Sequence, residues 1–198
     1  RNLSFCNETK QWALQIFQQY NITHLFVLGD ALNTRSTVHI PSLSAAMSFI
    51  DEATKLCPVS VLIGNHDMHL KYERTTTSLD ALKMKCIKNV QLYNEISMIQ
   101  IDGYKICMIP YHESTTEFIQ QLKLLHQSND LSNTICMTHL GINGAIESKL
   151  NETIEHHRCV SDVKLSLFTP FQRTFSGKMK TTVVVFDSSE ILICKFVI

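Results

Sequence analysis

Apolar residues recur along the chain at two spacings, and each change of spacing marks an element. Trp12, Ala13, Ile16, Phe17 and Tyr20 fall three and four positions apart, which predicts an amphipathic helix from Glu8 to Tyr20. HLFVLG, residues 24–29, reads as a short buried strand. Pro41 opens a second helix in which Leu43, Ala46, Met47, Ile50 and Ala53 share one face; the first helical turn needs no donor at the proline. VSVLIG, residues 59–64, is the next strand. Strand, helix and strand in succession predict a parallel pair joined by a crossover helix.

The middle of the chain changes pattern. EISMIQIDGYKICMIP places Asp102-Gly103 between two β-prone runs, a two-residue hairpin signal that predicts antiparallel pairing. Ser114, followed by Glu117, forms a capping box, and Phe118, Ile119, Leu122 and Leu125 supply the apolar face of the helix after it. TICMTH, residues 134–139, is a further buried strand, and VVVF with ILICKFVI closes the chain as a hairpin. No repeat, linker or low-complexity stretch interrupts this order, so the expectation is one α/β domain with a mixed sheet over residues 1–198.

Composition narrows the classes. With 44% apolar and 18% charged residues, the 198-residue chain can bury one core and does not have the composition of a disordered segment. Lys plus Arg and Asp plus Glu number 18 each, which leaves no global basic field; any nucleic-acid contact must come from a local patch. No apolar run approaches the roughly 18–20 residues of a membrane span, and RNLSFCNETKQW lacks the order of a signal peptide. Arg1 in place of Met leads to the expectation that sequence precedes it. Seven cysteines, an odd number without a C-x-x-C pair, read as reduced thiols of an intracellular protein, cytoplasmic or nuclear. The sequons at Asn2, Asn7, Asn21 and Asn151 are taken as chance triplets.

Candidate chemistry collects where strands end. Asp30 follows LFVLG, Asn65, His66 and Asp67 follow VLIG, and His139 follows ICMT. Sites in open α/β sheets form at the carboxyl ends of strands, where loops converge. A carboxylate, an amide oxygen and an imidazole together suit a borderline divalent ion such as manganese, iron or zinc. Each residue also has an ordinary reading: Asp30 as a turn cap, His139 as a hydrogen-bonded core histidine. Their order along the chain favours the metal site. His112 could line the cleft but reads rather as part of a solvated loop, the His156–His157 pair reads as a polar surface, and His24, His39 and His126 read as structural.

FVLGD, GNHD and THLGING in this order resemble the calcineurin-like metallophosphoesterases, and within them the SbcD-type double-strand-break-repair nucleases and phage recombination endonuclease subunits. The likeness extends over GDALNTR, TTTSLDALKM and DGYKICMIPYH, roughly residues 8–177. It implies an α-β-β-α sandwich with mixed sheets, here lacking the first strand and part of the C-terminal segment. It also implies a metal-dependent phosphoesterase, a DNA exonuclease or endonuclease subunit working with an ATPase partner. On this resemblance Asp30 bridges two metal ions, Asn65 and His139 ligate one of them, His66 assists the leaving oxygen, and Asp67 orients the His66 ring.

The chain departs from that pattern. An Asp-x-His motif expected before the first helix has no counterpart. Asn33 replaces the second Asp of G-D-x-x-D, and Ser176-Gly177-Lys178-Met179-Lys180 stands where Gly-His-x-His is expected. An ammonium has no lone pair, so Lys178 and Lys180 cannot ligate a cation. The expectation is therefore a half-site of Asp30, Asn65 and His139 beside His66, with two-ion chemistry unsupported. The competing reading is a catalytically inactive relic or scaffold of the same fold.

Overall fold

A computed structural model describes residues 2–32, 34–35, 37–84, 87–131, 134–140, 166–168, 181–186 and 191–196, with side-chain packing for those from 7 to 83 and 87 to 140. Helix α1 spans Asn2–Gln19 and so begins before Glu8. It buries Ala13 and Phe17, whereas Trp12 and Tyr20 stay 52% and 45% exposed. The buried stripe follows the i, i+4 line through 13 and 17, and a residue one position away points about 100° round the helix. Phe17 meets Phe49 at 6.3 Å between ring centroids, and Lys10 pairs with Glu52 at 2.8 Å.

The predicted crossover forms as β1 (His24–Leu28), α2 (Ile40–Ala53) and β2 (Val59–Leu62), with β1 and β2 parallel. Residues 29, 63 and 64 lie beyond the strands, because there the chain turns into the site. Four short elements follow that the sequence pattern leaves unassigned: β3 (Met68–Leu70), β4 (Glu73–Thr77), α3 (Asp80–Met84) and β5 (Val90–Tyr93). Strand β4 reads ERTTT, and its inward positions are Arg74 and Thr77 rather than hydrophobes. Partner strands and polar contacts create these elements, a tertiary override of local pattern.

The hairpin of β6 (Ser97–Ile101) and β7 (Tyr104–Ile109) is antiparallel as expected. Asp102 and Gly103 both have positive φ, 49° and 84°, as a two-residue turn matched to strand twist requires. A Cβ on Gly103 would meet nothing within 4 Å, so Gly103→Ala is expected to cost only the backbone penalty of about 1 kcal/mol in denaturant unfolding.

Helix α4 (Thr115–Ser128) starts at Ser114, whose Oγ accepts from the Glu117 N–H at 3.2 Å. Only that half of the capping box is seen, because the Glu117 carboxylate turns to the buried Arg74 guanidinium at 2.9 Å and to Gln121. His112, expected in solvent, is fully buried: Nδ1 lies 2.8 Å from the Pro110 carbonyl and Nε2 3.0 Å from Gln121 Oε1. Its ring packs on Phe118, and burial lowers its pKa. Local sequence could not show that α4 folds back over this residue.

Strands β8 (Thr134–Thr138), β9 (Ser166–Phe168), β10 (Thr181–Phe186) and β11 (Ile191–Phe196) complete the described elements, and β10 and β11 form the expected closing hairpin. One mixed sheet runs β11-β10-β1-β2-β5, a second β6-β7-β8-β9, and β3-β4 stands apart. Alternation along the strands separates three apolar clusters. Leu25, Val27, Val59 and Val61 face α1 and α2; Phe26, Leu28 and Leu62 meet Ile106, Met108 and Met137; Cys107, Ile109 and Cys136 face Phe118 of α4. The order is helices, sheet, sheet, helix, a mixed α/β arrangement. Cys57, Cys107 and Cys136 are buried free thiols, as read from sequence. Among the described residues no helix is long and apolar enough to cross a membrane.

Candidate metal centre

Parallel strands β1 and β2 end side by side, and β7 and β8 end beside them in the facing sheet. Two backbone bonds join this edge: Tyr111 N–H donates to the Ile63 carbonyl at 2.9 Å, and His139 N–H to the Ile109 carbonyl at 3.2 Å. Two glycines allow the loops to touch. Gly29 has φ of 83°, and a Cβ there would lie 2.5 Å from His139 Nδ1. At Gly64 a Cβ would lie 2.3 Å from both the nitrogen and Oδ1 of Asp30. Asp30 itself sits at φ 54°, a left-handed conformation that aspartate tolerates better than most residues.

Asp30, Asn65 and His139, predicted from three separate strand ends, come together. His139 Nδ1 donates to the Leu28 carbonyl at 2.7 Å, which fixes the tautomer and aims Nε2 into the site. Nε2 then lies 3.2 Å from Asp30 Oδ2 and 3.1 Å from Asn65 Oδ1. A neutral ring would set its lone pair against the lone pairs of two oxygens. A proton on Nε2 or a metal cation at the centre relieves that repulsion. Burial disfavours a charged His139, but the Asp30 hydrogen bond and charge, the Leu28 carbonyl and the Asp67 charge outweigh it and hold its pKa raised. Burial likewise opposes ionisation of Asp30, yet His139 and the His66 N–H hold its carboxyl below the usual range.

The donor set also fits a metal ion. Bonds of about 2.0–2.2 Å place neighbouring ligand atoms roughly 3.0–3.4 Å apart, a range that includes the 3.2 Å and 3.1 Å separations here. Among the described residues no group of three or more His, Cys, Asp or Glu is set to hold a metal. Here the third donor is an amide oxygen.

The Asp67 side chain binds backbone donors of both loops. Its carboxylate is buried and accepts backbone N–H groups of Asp30 at 2.8 Å, Gly64 at 2.9 Å and Leu32 at 3.3 Å. Both strand-end loops are thereby tied to one side chain. Burial, and then the Asp30 charge, push its pKa up to about 7 against the lowering effect of the Gly64 and Leu32 bonds. His66 is half-buried, and its N–H donates to Asp30 Oδ1 at 2.9 Å, which anchors the base of that side chain beside the donor set.

Sequence reasoning missed three neighbours. Arg35, inside GDALNTR, donates from Nε to the Asn65 carbonyl at 2.9 Å. The Tyr111 ring stands edge-on to His139 at 6.4 Å, and its hydroxyl donates to Glu113 at 2.5 Å. GDALNTR and IPYHE both follow strands and hold these residues, so position after a strand end was the available signal. Asn33, Lys178, Lys180 and the His156–His157 pair lie outside the described residues.

No known protein-family profile matches the chain. It is similar to a protein of Invertebrate iridescent virus 6 provisionally named phosphoesterase 244L, 34% identical over 87 residues, 42% of this chain and 29% of that protein. A protein of Invertebrate iridescent virus 3, provisionally named phosphoesterase 078R, is 23% identical over 131 residues, 66% of this chain and 38% of that protein. The chain thus spans well under half the length of these curated relatives.

Proposed function

We propose that this chain is a metal-dependent phosphoesterase, of the DNA exonuclease or endonuclease type that works beside an ATPase subunit. The observation that carries the metal dependence is the convergence of Asp30 Oδ2, Asn65 Oδ1 and His139 Nε2 on one point. The phosphoesterase names of the two viral relatives support the reaction class. DNA as substrate and an ATPase as partner rest on the sequence resemblance alone. Asp30, Asn65 and His139 would hold one divalent ion, manganese in the first place, with iron or zinc as alternatives. When bound, such an ion supplies Lewis acidity and an acidified water for attack on a phosphodiester.

The chain's own residues have separable tasks. Asp30 is held ionised and turned by the His66 N–H, so that Oδ2 faces the ligand point. Leu28 keeps the His139 proton on Nδ1, leaving Nε2 to the ion. His66, next in sequence to Asn65, would give a proton to the leaving oxygen.

A proton and a cation compete for His139 Nε2. Because the pKa of His139 is raised above 6.5, manganese affinity is expected to fall about tenfold per pH unit below that raised pKa and to level off above it. Calorimetry in buffers of different ionisation enthalpy checks this; binding without proton release at pH 6 would sink the assignment. Asn65→Ala and His139→Ala should each abolish binding. Hydrolysis of a phosphodiester by the manganese-loaded chain, lost in His66→Ala, tests the catalytic step.

Lys178 and Lys180 favour a second reading, an inactive relic or scaffold. Manganese binding without hydrolysis would decide for it.

A further inference from the structure

We propose that Arg35 and the tip of the β3–β4 hairpin form a subsite for an unpaired nucleotide beside the metal centre, with Arg35 on its phosphate and Tyr72 stacked on its base. This rests on the phosphoesterase reading and adds the form of the substrate. The hairpin begins at Met68, directly after Asp67, so whatever orders the site loop also places the hairpin. Its tip, Lys71-Tyr72, is tethered to the site wall. Lys71 Nζ donates to Glu113 Oε1 at 2.7 Å, Glu113 Oε2 accepts from the Tyr111 hydroxyl at 2.5 Å, and the Tyr111 ring stands against His139. Tyr72 is 72% exposed, with the Lys71 ammonium 5.7 Å from its ring centroid.

A lone exposed tyrosine is ordinary on a protein surface. Here the ring belongs to a hairpin tip tied to the wall of the candidate metal centre, and the Lys71 ammonium stands beside it. Arg35 is fixed through Nε to the carbonyl of Asn65, and among the described residues its two terminal nitrogens have no hydrogen-bond partner. Asn65 in turn meets His139 Nε2, and the Tyr111 ring stands against His139, so Arg35 and the Glu113-held hairpin tip border the same site. Both Glu113 oxygens are engaged, by Lys71 and Tyr111. A guanidinium fixed at one edge with its fork open matches a phosphate, which it binds bidentately. An aromatic face takes any base, but only a base whose own face is exposed. A single strand meets both demands and a duplex meets only the first.

The test uses the full chain in EDTA, with labelled single-stranded oligothymidylate and a duplex of equal length followed by fluorescence anisotropy. Tyr72→Ala is expected to weaken single-strand binding about tenfold and duplex binding less than twofold, while Tyr72→Phe binds like wild type. Arg35→Gln should weaken single-strand binding roughly 10- to 100-fold, and Arg35→Lys should recover part of it. Unchanged thermal midpoints and unchanged manganese affinity are expected in the two Tyr72 variants. Wild-type single-strand affinity in Tyr72→Ala, equal loss on duplex, or loss in Arg35→Gln that tracks a loss of manganese affinity would each overturn the subsite. Manganese-dependent hydrolysis of methyl p-nitrophenyl phosphate is read separately. Hydrolysis alongside unchanged oligonucleotide binding in both variants overturns the subsite and keeps the phosphoesterase. The expected binding pattern without hydrolysis keeps the subsite and overturns the enzyme.

Discussion

Asp67→Ala is expected to lower folding stability by about 4 kcal/mol and to remove divalent-ion binding with it. The side chain accepts three backbone N–H bonds from Asp30, Gly64 and Leu32, and no alanine atom can replace them. Each buried amide left without a partner costs about 1–3 kcal/mol, offset where water enters the space vacated by the carboxylate. The carbonyl of Asp67 also receives the N–H and Oγ of Ser78, so a shift of this loop spreads toward α3. Asp67→Asn should fall between, at about 2 kcal/mol, because one acceptor oxygen remains while its NH2 faces an N–H donor. Urea unfolding followed by circular dichroism measures both. If Asp67 served only to orient the ring of His66, Asp67→Ala would slow hydrolysis at nearly unchanged stability. A loss under 1 kcal/mol would therefore return Asp67 to that role.

Gly64→Ala should cost about 3 kcal/mol and weaken manganese binding roughly 10- to 100-fold. The added methyl would stand 2.3 Å from Asp30 N and 2.3 Å from Asp30 Oδ1, with the Gly29 carbonyl carbon at 3.0 Å. Two of these are backbone atoms, and the third belongs to a carboxylate held by His66 and His139. The loops must separate, and the ligand point widens when they do. Gly103→Ala is the matched control, since its turn strains only one φ and touches nothing. Equal stability of the two variants in urea, with intact manganese affinity in Gly64→Ala, would show that the strand ends can part without cost.

Much of this was legible beforehand. The elements of the β1-α2-β2 crossover, the Asp102-Gly103 hairpin, α4 and the β10–β11 pair are each encoded by periodicity or turn chemistry among near neighbours in the sequence. Site residues Asp30, Asn65 and His139 could be picked out because polar donors directly after buried strands are conspicuous. Elements made by partners were not legible. Strand β4 has no apolar alternation and is held by Arg74, whose bonds reach Asn94 and Glu117; His112 is buried by a helix that begins only after it.

The division follows the range of the forces. Periodicity, capping and turn preference act between near neighbours, so the sequence by itself determined where strands end and which side chains wait there. Only the tertiary structure decided what those side chains do. Packing of one sheet against another brought His139 Nε2 between two oxygens 109 and 74 positions distant along the chain, and set the Asp67 carboxylate on backbone donors of two loops. Such contacts depend on the registers of strands far apart in sequence, which no local pattern records.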